Sequence, residues 1–169
     1  RLLDIDEETY FRIISDKTAS LISACTKSGA VSVTDDEALV ERMDEFGETL
    51  GLAFQIRDDL FDFSAEDAGK PIGIDLQEKK MTLPLIVALR EAGRREKKRI
   101  LAIVDQDEKD RDDLRTIADF VDEYGGIEHA RRKMESLAAD ARSLLSALPP
   151  SEARASLAGL TEFAIQRSR

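Results

Sequence analysis

The chain has 169 residues, of which 42% are hydrophobic and 36% are charged, and its formal net charge is -10. This length and composition are typical of a folded domain with a hydrophobic core, and they exclude an intrinsically disordered chain. The acidic charge argues against nucleic acid as a general partner and against tight adhesion to anionic lipids, since both require a basic surface.

The cysteine count and the hydropathy pattern indicate where such a protein would work. The single cysteine, Cys25, excludes an internal disulfide and fits a reducing compartment. No apolar run approaches the roughly 18 residues of a membrane span, and no signal-peptide pattern is present. We therefore expect a cytoplasmic protein without a membrane span.

The first predicted element is a helix over residues 4–28, with acidic residues in its first turn and Gly29 as its C-terminal cap. Lys17 and Thr18 interrupt its apolar stripe, Thr18 inside the stripe and Lys17 at its edge. The stripe consists of Tyr10, Phe11, Ile14, Leu21, Ile22 and Cys25. Cys25 is accordingly predicted to be a core residue.

A second, longer helix is predicted from a cap at Thr34 or Asp35 to about Ala65. Gly47 and Gly51 lie one turn apart in it and allow a neighbouring helix or a ligand to come close. Past these glycines, in the segment FQIRDDLFDF at residues 54–63, apolar side chains cover most of the circumference. The polar remainder is one narrow face made of Gln55, Asp58 and Asp62, with Asp59 beside it.

The second half of the chain is also predicted to be helical. Glycine, proline and mixed charge make residues 66–80 an irregular loop. A helix then begins at Thr82 as its cap, with Pro84 in the first turn, and ends near Gly93. Three or four further helices are predicted, broken around Asp107, Gly125-Gly126 and Pro149-Pro150. Few β-branched runs occur, so we predict an all-α domain without a clear linker.

Two interpretations are open for Asp58, Asp59 and Asp62. An acidic face exposed to solvent is one, because a DDxxD spacing arises easily in a chain rich in aspartate. A metal site is the other, and the apolar residues on both sides favour it. Hard divalent cations such as Mg²⁺ accept one or two carboxylates and keep waters or phosphate oxygens in their other positions.

Several lysines could complete a phosphate site around such a metal. Lys70, Lys79 and Lys80 follow the carboxylate helix, and Lys17 breaks an apolar stripe elsewhere. Each lysine alone is compatible with an ordinary exposed side chain. Carboxylates, lysines and apolar walls together predict a site for a diphosphate head with a hydrophobic tail.

The sequence gives little support for acid–base or nucleophilic catalysis. His129 is the only histidine and lies in a charged helical segment away from the aspartates. No serine or cysteine nucleophile has a recognisable base. The predicted chemistry is therefore electrostatic, with metal and lysines stabilising a departing diphosphate.

Four segments together resemble a known enzyme family. FQIRDDLFDF at residues 54–63 and GKPIGIDLQEKKMTLPLIVAL at 69–89 resemble the second aspartate-rich region of trans-prenyl diphosphate synthases. DKTASLISACTKSGA at residues 16–30 resembles the Lys-Thr helix that precedes it there, and LTEFAIQR at 160–167 resembles the closing helix. The variant LQEKKMTLP is most similar to long-chain enzymes of the octaprenyl or polyprenyl type.

This resemblance implies an isoprenoid synthase fold, with helices around a central cavity. It also implies condensation of isopentenyl diphosphate with an allylic diphosphate, dependence on Mg²⁺, and a homodimer. The motifs also imply roles for single residues. Asp58, Asp59 and Asp62 would bind Mg²⁺, and Lys17, Lys70 and Lys80 would bind the allylic diphosphate. Thr18 and Gln55 would face the reacting carbons, and Phe54 would line the isopentenyl side.

One departure from the family pattern is large. The family has an earlier DDxxD helix followed by an arginine pair, and TDDEAL at residues 34–39 lacks the third aspartate. Residues 1–169 therefore resemble the C-terminal half of a single synthase domain. Two functions remain open: the catalytic second half of a prenyltransferase, or a non-catalytic helical subunit or remnant that needs a partner.

Overall fold

The computed structural model describes residues 5–63 and 73–166, and all regular secondary structure in these ranges is helical. The helices are α1 (Glu7–Ile14), α2 (Ser20–Val31), α3 (Glu37–Phe61), α4 (Ile74–Gln77), α5 (Leu83–Glu91), α6 (Arg94–Val104), α7 (Arg111–Glu123), α8 (Gly126–Ser146) and α9 (Glu152–Gln166). A π-helical segment, Ser15–Ala19, joins α1 to α2, and we call it the π turn. The all-α prediction is confirmed for the described ranges.

The π turn changes which side chains of the first predicted helix are buried. A π-helical turn closes over one more residue than an α-helical turn, so the inward face moves on by about one residue after it. The buried side chains are Tyr10, Ile14, Ala19, Ser23 and Ala30. The predicted burial of Leu21 and Cys25 is therefore wrong, because both are exposed.

Helix ends differ from the predictions where a better cap or a tolerated glycine is available. α2 continues through the exposed Gly29, since glycine inside a helix costs only about 1 kcal/mol relative to alanine. Asp36, rather than Thr34 or Asp35, caps α3, because its Oδ1 accepts hydrogen bonds from the backbone N–H groups of residues 38 and 39 at 3.0 and 3.3 Å. α3 ends at Phe61, and the predicted end near Ala65 lies outside the described residues.

The helix boundaries in the second half of the chain are largely as predicted. Thr82 is the N-cap of α5, Pro84 stands in the first turn, and α5 ends at Glu91. Four helices follow in the described part of the chain up to residue 166, with breaks at residues 105–110, 124–125 and 147–151. The predicted irregular loop is wrong in one respect, since Ile74–Gln77 forms the short helix α4.

The described chain contains two compact units, and the first comprises Arg1–Tyr10 and Asp58–Arg131. Its centre is α5, whose residues 83–89 are all buried and pack against α7. A helix that is apolar all round must be covered on every side, which explains this central place. Fully buried side chains around it include Leu76, Ile100, Val104, Ile117 and Val121.

The second unit comprises Phe11–Arg57 and Arg132–Arg169. Its core brings α3, α8 and α9 together through Phe46, Leu50, Ala141, Leu145 and Ala164. Phe46 is completely buried. This apolar core holds the middle of α3 in place and thereby supports the segment that carries Phe54 and Gln55.

Candidate active site

The π turn and α3 bring two of the predicted site residues together in the second unit. The hydroxyl Oγ1 of Thr18 donates a hydrogen bond to Oε1 of Gln55 at 2.9 Å, and the pair is partly buried. Lys17, the neighbouring residue on the π turn, is exposed, and Phe54 on α3 is half-buried. The structure thus brings together a threonine and a glutamine that are 37 positions apart in sequence.

The three aspartates of the motif lie in the first unit, and they do not form a solvated acidic face. Asp59 is 5% exposed and Asp62 is 7% exposed, whereas Asp58 is half-buried. Oδ2 of Asp59 accepts a hydrogen bond from the phenol of Tyr10 at 2.7 Å. Oδ2 of Asp62 accepts one from the backbone N–H of Asp75 at 2.6 Å. Protein donors therefore compensate part of the cost of burying these carboxylates.

Within residues 5–63 and 73–166, no group of three or more histidine, cysteine, aspartate or glutamate side chains could hold a metal ion. The donor chemistry nevertheless fits Mg²⁺, which commonly takes one or two protein carboxylates and completes its shell with waters and phosphate oxygens. Asp58, the most accessible of the three, is the residue best placed for such a contact.

Tyr10 was predicted only as part of an apolar stripe, yet it is the donor to the central aspartate. Its side chain is 3% exposed. Burial raises the pKa of the Tyr10 phenol far above its usual range, and the charge and hydrogen bond of Asp59 raise it further. The phenol is therefore protonated at neutral pH and remains a donor to Asp59.

We expect Tyr10→Phe to lower the free energy of unfolding by about 1–3 kcal/mol, because it leaves a buried carboxylate without one of its donors. The matched control is Tyr124→Phe, at the other tyrosine of the chain, whose ring lies 4.8 Å from that of Phe120. This control should change stability by no more than about 0.5 kcal/mol. Urea denaturation followed by circular dichroism measures both, and equal effects would contradict a special role of Tyr10.

The same pair predicts an alkaline limit of stability. The pKa of Tyr10 is higher in the folded than in the unfolded chain, so its contribution is complete below the unfolded value of about 10 and declines as pH rises above it. The loss should approach about 1.4 kcal/mol per pH unit for this one group. Tyr10→Phe should flatten this decline, and Tyr124→Phe should not remove the same component.

Asp75 links the aspartate motif to one of the predicted lysines, and sequence reasoning missed it. Besides its backbone contact with Asp62, its Oδ1 accepts from Nζ of Lys80 at 2.7 Å. Glu78 pairs with the same ammonium at 2.7 Å. The hydrogen bonds to Asp75 and Glu78 raise the pKa of Lys80 above its usual range. Only its place inside the quoted motif could have signalled Asp75, because nothing in the local periodicity singles it out.

A left-handed residue brings Lys80 back towards Asp75. Lys79 has φ of 58°, and the N–H of Lys80 donates to the carbonyl of Asp75 at 2.9 Å across the end of α4. This is the helix-ending arrangement that usually has glycine at the left-handed position. Nζ of Lys79 itself pairs with Asp107 at 2.6 Å. Lys70, the other predicted diphosphate contact in this region, lies outside the described residues.

A cavity of about 420 Å³ in the first unit contains none of the predicted site residues. It is lined by Ile5, Asp6, Glu7, Met81, Ile86, Leu89, Arg90 and Lys97. Glu7 pairs there with Arg90 at 2.9 Å, and the ring Nε2 of His129 lies 3.3 Å from the other oxygen of Glu7. His129 is thus a polar neighbour of Glu7, apart from the aspartate motif.

The model of the Polyprenyl synthetase family matches residues 2–121. The chain belongs to the polyprenyl synthetase family. Among family members, it is 34% identical over 170 residues to the short chain isoprenyl diphosphate synthase of Methanothermobacter thermautotrophicus, covering 98% of this chain and 51% of that protein. It is 34% identical to the octaprenyl diphosphate synthase of Escherichia coli, covering 98% of this chain and 52% of the relative.

Solved structures of polyprenyl synthetase relatives confirm the fold class. A geranylgeranyl pyrophosphate synthase from Bacteroides thetaiotaomicron matches with a TM-score of 0.89 and 35% identity, covering 98% of this chain and 55% of that one. A decaprenyl diphosphate synthase from Rhodobacter capsulatus matches with a TM-score of 0.90 and 33% identity, covering 99% and 52%. The all-α isoprenoid synthase fold is therefore confirmed, and the chain spans about half the length of the relatives it matches. Among the described residues, no helix is both long enough and apolar enough to cross a membrane.

Proposed function

We propose that residues 1–169 are the C-terminal half of a single trans-polyprenyl diphosphate synthase domain, which condenses isopentenyl diphosphate with an allylic diphosphate. The observation that carries this proposal is the pairing of motif residues. Thr18 is hydrogen-bonded to Gln55, and two motif aspartates are buried with protein donors on them. The match to synthases over nearly the whole chain, but over only half of their length, supports the same assignment.

Mg²⁺ is the proposed cofactor, held by Asp58, Asp59 and Asp62. When bound, it supplies positive charge to the diphosphate that leaves the allylic substrate. Asp59 and Asp62 each accept a hydrogen bond through Oδ2, so their orientation is set before any ligand arrives. Asp58, which is less buried, makes the direct contact in this proposal.

Lys17, Lys70 and Lys80 supply cationic contacts to the allylic diphosphate. Lys17 is exposed on the π turn and therefore accessible to a ligand. Lys80 pairs with Asp75 and Glu78, so a diphosphate would compete with these carboxylates for its ammonium. Ammonium–phosphate hydrogen bonds are charge-assisted and among the stronger contacts a protein can offer.

Thr18 and Gln55 face the reacting carbons, and Phe54 lines the isopentenyl side. The hydrogen bond from Thr18 orients the Gln55 amide, and an oriented dipole stabilises developing charge without reorganising. No protein base is assigned, and the proton released in the condensation goes to the departing diphosphate.

Assembly and location follow the same proposal. Large apolar side chains are exposed in the described second unit, and self-association into a homodimer would cover part of this surface. They are Ile13, Leu21, Val31, Val33, Leu160 and Phe163. We further propose a cytoplasmic enzyme whose partners are its two diphosphate substrates and a second copy of itself, with no nucleic acid.

The second candidate is a non-catalytic helical subunit that keeps the motif and needs a partner. The chain spans about half of its relatives, and its sequence lacks the first DDxxD helix with its arginine pair. Each missing cationic or metal contact to the leaving group is worth roughly 3–4 kcal/mol in a preorganised site. Several such losses together would abolish turnover by this chain alone.

Incorporation of radiolabelled isopentenyl diphosphate at fixed Mg²⁺ distinguishes the two candidates. We expect product from the full protein that carries this chain, no product after chelation with EDTA, and no detectable product from the 169-residue chain by itself. Robust product from the short chain would show that the essential cationic contacts lie within it. A full protein that binds diphosphate but makes no product would favour the non-catalytic subunit.

A further inference from the structure

Gly51 on α3 lies against the backbone of the π turn. A Cβ atom at position 51 would come 2.5 Å from Cα and 2.8 Å from Cβ of Ala19. Both distances are shorter than real Cβ contacts, and Ala19 is completely buried, so its backbone has no space into which it can move. The two backbones approach this closely only because residue 51 has no side chain.

This contact is immediately next to the Thr18–Gln55 hydrogen bond. Thr18 precedes Ala19 on the π turn, and Gln55 follows Gly51 by one turn of α3. Threonine has a short side chain, so its hydroxyl reaches Gln55 at 2.9 Å only if the two backbones are close. The spacing at Gly51 therefore sets the hydrogen bond.

The π turn contributes the second half of the arrangement. Because of the π turn, Ala19 lies on the buried face of this helical segment, and Thr18 lies beside Gln55. An uninterrupted α-helix would rotate this face by about one residue, and π-helical turns of this kind are frequent at functional sites. Gly51 accommodates the wider turn where it lies against α3.

We propose that Gly51 is a positioning residue, which seats the π turn on α3 and so holds Thr18 against Gln55. The proposal deepens the proposed function and rests on it for the consequence in catalysis. The positioning of Thr18 by Gly51 can be tested independently of catalysis, because the coupling between Gly51 and the Thr18–Gln55 hydrogen bond can be measured without any turnover.

Gly47 provides a matched control one turn earlier on α3. A Cβ there would lie 2.6 Å from Cα of Ser23 and closer still to Oγ1 of Thr26. Thr26 donates to the carbonyl of Met43 at 2.6 Å, so this contact also has a threonine hydrogen bond beside it. The two glycines are thus equivalent in tightness, and each has its own threonine.

The test is a pair of double-mutant cycles on the full protein, measured as thermal midpoints. Alone, Thr18→Val should lower the midpoint by about 3 °C through loss of one hydrogen bond. In the Gly51→Ala background, Thr18→Val should lower the midpoint by less than about 1 °C, since the hydrogen bond is already broken. In the Gly47→Ala background, Thr18→Val should have its full effect. Thr26→Val should show the opposite pattern and serves as the positive control.

Turnover gives the second readout. Gly51→Ala should lower kcat about a hundredfold, as expected for a displacement of catalytic groups by about 1 Å, and Thr18→Val should add little to it. Gly47→Ala should retain most of its kcat. Additive effects of Gly51→Ala and Thr18→Val, or equal coupling of Thr18 to both glycines, would overturn the proposal.

The proposal can still be tested if the Gly51→Ala variant does not fold or if the wild-type protein is inactive. If Gly51→Ala does not fold, Ala19→Gly replaces it in the same cycle, because it loosens the same contact by removing the Cβ of Ala19 and should likewise reduce the effect of Thr18→Val. If the wild-type protein makes no product, the proposed function fails, while the thermal cycles still decide whether Gly51 positions Thr18.

Discussion

Replacing Asp58 with alanine in the full protein is expected to lower turnover about a hundredfold or more, because it removes the accessible carboxylate of the aspartate motif. Asp58 is half-buried, whereas Asp59 and Asp62 are buried. The loss should therefore appear in kcat, with little change in the thermal midpoint. The assay is incorporation of labelled isopentenyl diphosphate over a range of Mg²⁺ concentrations.

Two comparisons make the Asp58 result specific. Asp59→Ala should reduce both turnover and stability, because it removes the buried acceptor of the Tyr10 hydrogen bond. Asp122→Ala, at an exposed aspartate in the last turn of α7, should leave both unchanged. Equal activity of the Asp58 and Asp122 variants would mean that the motif has no catalytic role.

Gly126→Ala is expected to lower the free energy of unfolding by about 3 kcal/mol or more. A Cβ at this position would lie 2.1 Å from the carbonyl oxygen and 2.9 Å from the carbonyl carbon of Pro84. Pro84 belongs to the buried stretch of α5 at residues 83–89, so its backbone cannot move aside without disturbing the core. The thermal midpoint should fall by about 10 °C, measured by circular dichroism.

The same substitution at an open position is the control for Gly126. Gly29 lies inside α2 on its exposed side, and a Cβ there would meet no described atom within 4 Å. Gly29→Ala should raise the free energy of unfolding by about 0.5–1 kcal/mol, since alanine loses less conformational entropy in a helix. A destabilising effect of similar size at both glycines would argue against the close contact with Pro84.

Local chemistry was enough to predict much of the fold. Thr82 followed by Pro84 predicted the start of α5, and the breaks at Gly125-Gly126 and Pro149-Pro150 follow from residues that disfavour a continued helix. Such signals act within a turn or two of the chain, so they can be read without knowing what packs against them. The motif resemblance went further and predicted that Thr18 and Gln55 both face the reacting carbons, and in the structure their side chains are hydrogen-bonded.

Tyr10 shows where this reasoning ends. As an apolar stripe residue its burial was predicted correctly, but its hydroxyl bonds to Asp59, 49 positions away. Asp75 is a similar case, since its backbone N–H binds Asp62 across a segment that no periodicity relates to it. Both partners depend on how distant segments meet, and a local pattern contains no such information.

The sequence by itself determined that this chain is helical, that it carries the second aspartate motif of a prenyl synthase, and which side chains belong to that motif. Only the tertiary structure decided which side chains of the first predicted helix face the core. Ala19 and Ser23 are buried, whereas Leu21 is exposed. An α-helical period of 3.6 residues predicts the other register. The π turn overrides it, because the fit of Ala19 against the bare backbone at Gly51 is gained only with one extra residue in the turn.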